Sequence, residues 1–151
     1  MHINYKIMNK ELSVALAEKL KVFVEDQTLR CVNKNTCKYS GASLNRSKDI
    51  GCMVGLFFSP EDRIIIDTHF GADGDSSVLD LVNDYNKKKL DIEVPQIILD
   101  NPTAFMVFQG LHDDCGNWDE VENTLSTMGK NALKIAIDDY KLDISDFEFA
   151  F

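Results

Sequence analysis

The sequence has no Cys-x-x-Cys pair, no internal repeat, no linker or low-complexity segment, and no catalytic signature of high specificity. Its four cysteines, Cys31, Cys37, Cys52 and Cys115, lack the paired spacing of a zinc finger. In a reducing compartment they read as free thiols. No apolar run reaches the roughly 18 residues of a membrane span. The opening stretch M-H-I-N-Y-K-I-M-N-K-E-L-S breaks every apolar segment with charge or polarity, unlike a signal peptide. The expectation is a cytoplasmic protein with no membrane partner. Basic residues are also scarce: 16 Lys and Arg stand against 25 Asp and Glu, a formal net charge of -9. Non-specific nucleic-acid binding needs cations on phosphates, so direct binding of DNA or RNA is not expected. The same charge suits a cationic partner, mimicry of nucleic acid toward a DNA-binding protein, or simple solubility.

What is present is an ordinary globular composition, 44% apolar and 27% charged over 151 residues. That length supports one domain over 1–151, with a core large enough to need neither disulfide nor metal. Residues 10–26 carry Leu12, Leu16, Leu20 and Phe23 at helical spacing, with Asn9 as N-cap. Segments 28–33 and 36–40 are rich in β-formers around an Asn33-Lys34-Asn35 turn, which predicts a small hairpin or an irregular strand pair. Gly51–Phe58 is an apolar run compatible with a buried strand or a short helix. Ser59-Pro60-Glu61-Asp62 starts a helix, and Ile64–Ile66 looks like buried packing.

A Gly/Asp loop is expected from His69 to Asp75. A helix capped by Ser76 or Ser77 follows, ending in the lysine run 87–89. Residues 95–99 read as a connector, and Asn101-Pro102 opens a helix that stops near Cys115-Gly116. Asn117-Trp118-Asp119-Glu120 has capping-box form and predicts a helix out to Tyr140. The tail alternates Phe147, Phe149 and Phe151 as an edge strand does. The fold class expected is α+β, mostly α: a single compact domain of about four to five helices with a few short strands.

Chemistry has a few places to reside. Cys37, Cys52 and His112, with Asp113 or Asp114, offer thiolate, imidazole and carboxylate to zinc or another divalent metal. Against this, fourteen residues separate the two cysteines, and buried structural thiols are the simpler account. Cys52 could be a nucleophile, with His112 as base and Asp113 as orienter, although the apolar run behind it looks like core. His112-Asp113 also resembles the metal pair of HD-type phosphohydrolases, with His69 and Asp138 or Asp139 in the right order for the remaining ligands. A helix end at which His112 satisfies carbonyls is the plainer alternative. Asp67, Asp73 and Asp75 could take a hard cation but lack calcium-loop spacing. Trp118 is either an aromatic lid or core.

Cys37-Lys38-Tyr39, the polar loop after it, and Gly51-Cys52-Met53-Val54-Gly55 with the following apolar run and Pro60-Glu61-Asp62 form a pattern. With Phe108-Gln109-Gly110-Leu111-His112-Asp113 and Trp118, it resembles small uncharacterised phage and prophage proteins. Those carry Cys-x-Tyr, Cys-Ala-Ile/Val-Gly and Leu-Gln-x-x-His-Asp. Met53 departs from the usual Ala, and Phe108 from the usual Leu. The resemblance spans about residues 37–62 and 105–118 and names no activity. It implies a mobile-element origin, a host-cell cytoplasm, and one spatial cluster of Cys37, Tyr39, Cys52, Gly55, His112 and Asp113. The function expected is that of an acidic accessory protein that inhibits a host protein or sequesters a small molecule, with ligand contacts from Cys37, Tyr39, Cys52, His112, Asp113 and Trp118. No cofactor is favoured. An HD-type phosphohydrolase and a Cys52-based hydrolase are the alternatives.

Overall fold

A computed structural model describes residues 2–33, 36–71 and 77–151, with the side chains of residues 2–9, 33 and 36 left aside. The chain is mostly helical with a few short strands. Six α-helices and two two-stranded sheets appear among the described residues. The helices are α1 (His2–Glu25), α2 (Pro60–Phe70), α3 (Val78–Asn86), α4 (Gln96–Asp100), α5 (Pro102–Asp113) and α6 (Thr127–Asp139). The strands are β1 (Val32–Asn33), β2 (Thr36–Cys37), β3 (Trp118–Asp119) and β4 (Thr124–Leu125). No described helix is long and apolar enough to cross a membrane.

The polypeptide forms two compact units, one built from the chain up to Thr28 plus Asp114–Phe151, the other from Leu29–Asp113. In the first unit, α1 lies along β4 and along a 3-10 stretch at Ile144–Ala150. Leu12, Leu16, Leu20 and Phe23 are buried at the predicted spacing, and Leu133, Ala136, Ile137 and Phe147 are buried with them. The helix begins well before residue 10. Nothing between His2 and Asn9 breaks a helix, so Asn9 is interior rather than a cap.

Two further expectations fail in this unit. The segment at Asn117 does not start a helix. Asp119 Oδ1 accepts the Val121 and Glu122 amides, which turns the chain, and Trp118 pairs with Leu125 across a hairpin. The Asp side chain offers the backbone a turn in place of a helix. Helix α6 starts ten residues later, where the Ser126 hydroxyl accepts the Gly129 amide. The Phe tail is not a strand either. Asp143 caps Ser145, and a 3-10 stretch buries Phe147 while leaving Phe151 exposed.

In the second unit the expected strand pair is present but shorter: Val32–Asn33 pairs antiparallel with Thr36–Cys37, whereas Gln27–Leu29 is a 3-10 turn; residues 34 and 35 lie outside the described residues. Gly51–Phe58 is neither strand nor helix. It makes a single bridge, Gly51 to Ser40, and then a 3-10 turn at Gly55–Phe57. A β-carbon at Gly55 would stand 2.5 Å from the Tyr39 carbonyl oxygen, so backbone contact fills the space a side chain would need. Ser59 caps α2 as predicted. That helix continues through His69 to Phe70, so the Gly/Asp loop is shorter than expected. Asp73, Asp75 and Ser76 lie outside the described residues. Of the three isoleucines only Ile66 is buried; Ile64 and Ile65 face outward, as helical periodicity requires. Ser77 and Asp80 form a reciprocal capping box at α3. Residues 95–99 contain the short α4 rather than a plain connector. Helices α3 and α5 pack together, and Phe57 meets Phe105 edge to face at 4.9 Å.

Candidate functional site

The C-terminal turn of α5 brings Gln109, His112 and Asp113 onto one side of the helix, at i, i+3 and i+4. His112 is fully buried. Its Nδ1 and Asp113 Oδ1 are 2.6 Å apart, and its Nε2 accepts the Cys31 amide at 3.2 Å. An acceptor at Nε2 requires the proton of the neutral ring at Nδ1, donated to Asp113. Burial holds the imidazole below its ordinary value of 6.5, and the Asp113 carboxylate only partly offsets this. The ring is neutral and both nitrogens are committed.

Gln109 is the centre of the arrangement. Its amide nitrogen donates to Cys37 Sγ at 3.0 Å and to Asp113 Oδ1 at 2.7 Å. Its carbonyl oxygen accepts the buried Val54 amide at 2.8 Å. One side chain therefore joins β2, the turn after Cys52 and α5. Arg30 adds a second tie, donating from Nε to the His112 carbonyl at 2.7 Å and from Nη2 to the Asp113 carbonyl at 3.2 Å. These are carbonyls that the helix end leaves over.

The Cys31 and Cys37 thiols are neutral. Cys37 is raised well above its ordinary value, first by its hydrogen-bonded partner Cys52, then by burial and by Asp113. Burial pushes Cys31 up to about 12. Cys52 is fully buried, and its Sγ takes the Gly55 amide at 3.3 Å. A catalytic thiol at Cys31 or Cys37 would need the opposite shift, toward the thiolate.

Cys37, His112 and Asp113 can each turn a ligand atom to within 4.8 Å of the others, the closest approach to a metal set among the described residues. A cation shared by Cys37 and Asp113 would have to displace the Gln109 amide, which already donates to both. It would also need an imidazole nitrogen free of both proton and donor.

The structure thus gathers Cys37, Cys52, His112 and Asp113. Tyr39 is buried beside them, its amide donating to Asp67 Oδ1. His69 is on the last turn of α2, with Nε2 at 2.8 Å from Asp84 Oδ2. Trp118 and Asp138 belong to the first unit, Trp118 buried in β3 and Asp138 exposed on α6.

Sequence reasoning assigned no role to Gln109, Arg30 and Arg63, and offered Asp67 to a cation where it instead holds backbone amides. Gln109 had a signal, a polar residue among Phe105, Phe108 and Leu111 on a helix otherwise apolar at those positions. The roles of the other three gave no signal, because their partners are mostly backbone groups distant in sequence. Asp67 accepts the Tyr39 and Ser40 amides and the Ser43 hydroxyl. Buried Arg63 donates from Nε to the Gly55 carbonyl at 2.7 Å, and from Nη1 to the Lys48 and Asp49 carbonyls. Arg46 Nη1 donates to the Arg30 carbonyl at 2.6 Å. Between these anchors, Ala42, Ser43, Asn45 and Ser47–Asp49 are exposed.

No protein-family model, no curated protein and no solved structure matches this chain.

Proposed function

We propose that this chain acts by binding a host-cell protein, through the loop 41–49 that the buried network holds in place, and that it carries out no turnover at Cys37, Cys52 or His112. The observation that carries this reading is the saturation of the His112 ring. With Nδ1 donating and Nε2 accepting inside the protein, the imidazole has no lone pair for a base step or for a metal. The neutral thiols agree with this. The loop has the opposite character: Arg63 holds its backbone at Lys48 and Asp49, the Ser43 hydroxyl and the Arg46 guanidinium fasten it to Asp67 and to the Arg30 carbonyl, and Ala42, Asn45 and Ser47–Asp49 are exposed. A surface ordered before it meets its partner gives up less entropy on binding. The accessory role and host-cell setting follow the phage-type pattern of residues 37–62 and 105–118.

The test has two arms. Purified protein should fold without bound metal and leave phosphomonoesters intact with manganese present. Hydrolysis that depends on His112 overturns the reading. Lys48→Glu with Asp49→Lys should keep the melting temperature yet release the host protein that the unaltered chain retains; a variant that still retains it moves the binding surface elsewhere.

A further inference from the structure

Helix α6 buries one stripe, Gly129, Leu133, Ala136 and Ile137. A second apolar row, Met128, Ala132 and Ile135, follows the spacing i, i+4, i+7 along its other side. Met128 is 52% exposed and Ile135 62%. One apolar stripe suffices to seat a surface helix; a second faces water unless something covers it. The lysines stand off this row, and Lys134 lies with its ammonium 5.5 Å from the Phe151 ring centre.

The charges at the ends of the same helix oppose its dipole. Its first turn has no acid and its last turn no base. Exposed Asp138 and Asp139 stand instead at the negative end, where carboxylates are unfavourable. At the positive end the Ser126 hydroxyl takes only the Gly129 amide. The amides of Thr127 and Met128 precede the first turn's partners and are left over by the helix.

We infer that this face of α6 is the contact between two copies of the chain, with the helices antiparallel about a two-fold axis near Ala132. Met128 of each copy then packs on Ile135 of the other. Each pair of aspartates reaches the positive first turn of the opposite helix, so both mismatched ends are answered, twice over by symmetry. The small Ala132 at the crossing lets the axes approach. A cationic segment from a different protein would answer the aspartates but not the first turn, which is why a second copy fits better. The contact is short, so the dimer belongs among weak ones, with a dissociation constant of about 10–100 μM.

Sedimentation equilibrium of the full chain between about 5 and 500 μM tests this. A monomer–dimer equilibrium is expected. Ile135→Glu, at an exposed position, should leave the circular dichroism and melting temperature unchanged and weaken the dimer by about tenfold or more. Asp138→Lys with Asp139→Lys moves the formal net charge by four from -9. General repulsion would then fall and association would tighten, whereas the α6 pairing requires it to weaken. Ala132→Cys, in a Cys115→Ser background, should oxidise to a covalent dimer. A monomer across the whole range, a dimer indifferent to Ile135→Glu, or a tighter dimer from the lysine pair overturns the inference.

Discussion

The two compact units are each held by a polar network, and the networks differ in what surrounds them. In the second unit, Arg30, Cys37, Gln109 and His112 exchange hydrogen bonds largely away from water. In the first unit, Lys10 reaches Asp143 at 2.9 Å and Asp146 at 2.7 Å across open surface. Only Ser13 beneath them is buried, donating to Asp146 and accepting the Asp143 amide. Partner number and bond length are similar in the two. Burial decides their weight, because an orphaned group beside water finds a new partner and one in the core does not.

His112→Ala should show the largest effect. It leaves the Cys31 amide without its acceptor and opens a void, at a cost of about 3–5 kcal/mol in urea unfolding. A loss below about 1 kcal/mol would place the cluster on a par with a surface contact. Gln109→Leu keeps the volume but strands the Val54 amide, for roughly 2–3 kcal/mol in urea unfolding. Ser13→Ala should cost about 1 kcal/mol, since the hydroxyl's partners on Asp143 and Asp146 lie near the surface, where water can replace it.

Acid separates the networks by pH window. His112 is held below its ordinary 6.5 by burial, so the unfolded chain takes up the proton first. Its contribution is complete above pH 6.5 and is lost as pH falls from there. Asp143 is lowered from 3.8 to about 2, by the Ser145 hydroxyl first and Lys10 next. Its contribution persists to 3.8 and is lost only on the way down to about 2. Unfolding midpoints measured from pH 8 to pH 2 should fall first in a step that His112→Ala abolishes. A single step near pH 4 would contradict that order. The smallest effect belongs to Lys10→Met. It should shift the midpoint less than Ser13→Ala does, and its effect should disappear in molar salt, since Lys10 is exposed.

Local signals served well where a single turn of chain settles the matter. Ser59 with Pro60, and Ser77, start helices where their residues direct, and a short antiparallel pair joins Val32–Asn33 to Thr36–Cys37. They failed where a side chain had a choice. Asp119 could have started a helix and made a turn instead, and the Phe tail took a 3-10 path from the Asp143 cap. Gln109, Asp113 and His112 are neighbours by helical spacing alone, so half of the network could be read from the chain.

What the sequence determined by itself was the mostly helical class, the apolar face of α1, and the caps, all of which depend on periodicity or on contacts within a few residues. That Cys37 would be a neutral thiol under the Gln109 amide, and that His112 would have both nitrogens occupied, was decided only by tertiary structure. Burial and the approach of the Cys31 and Val54 amides set those states, and those amides come from segments dozens of residues away.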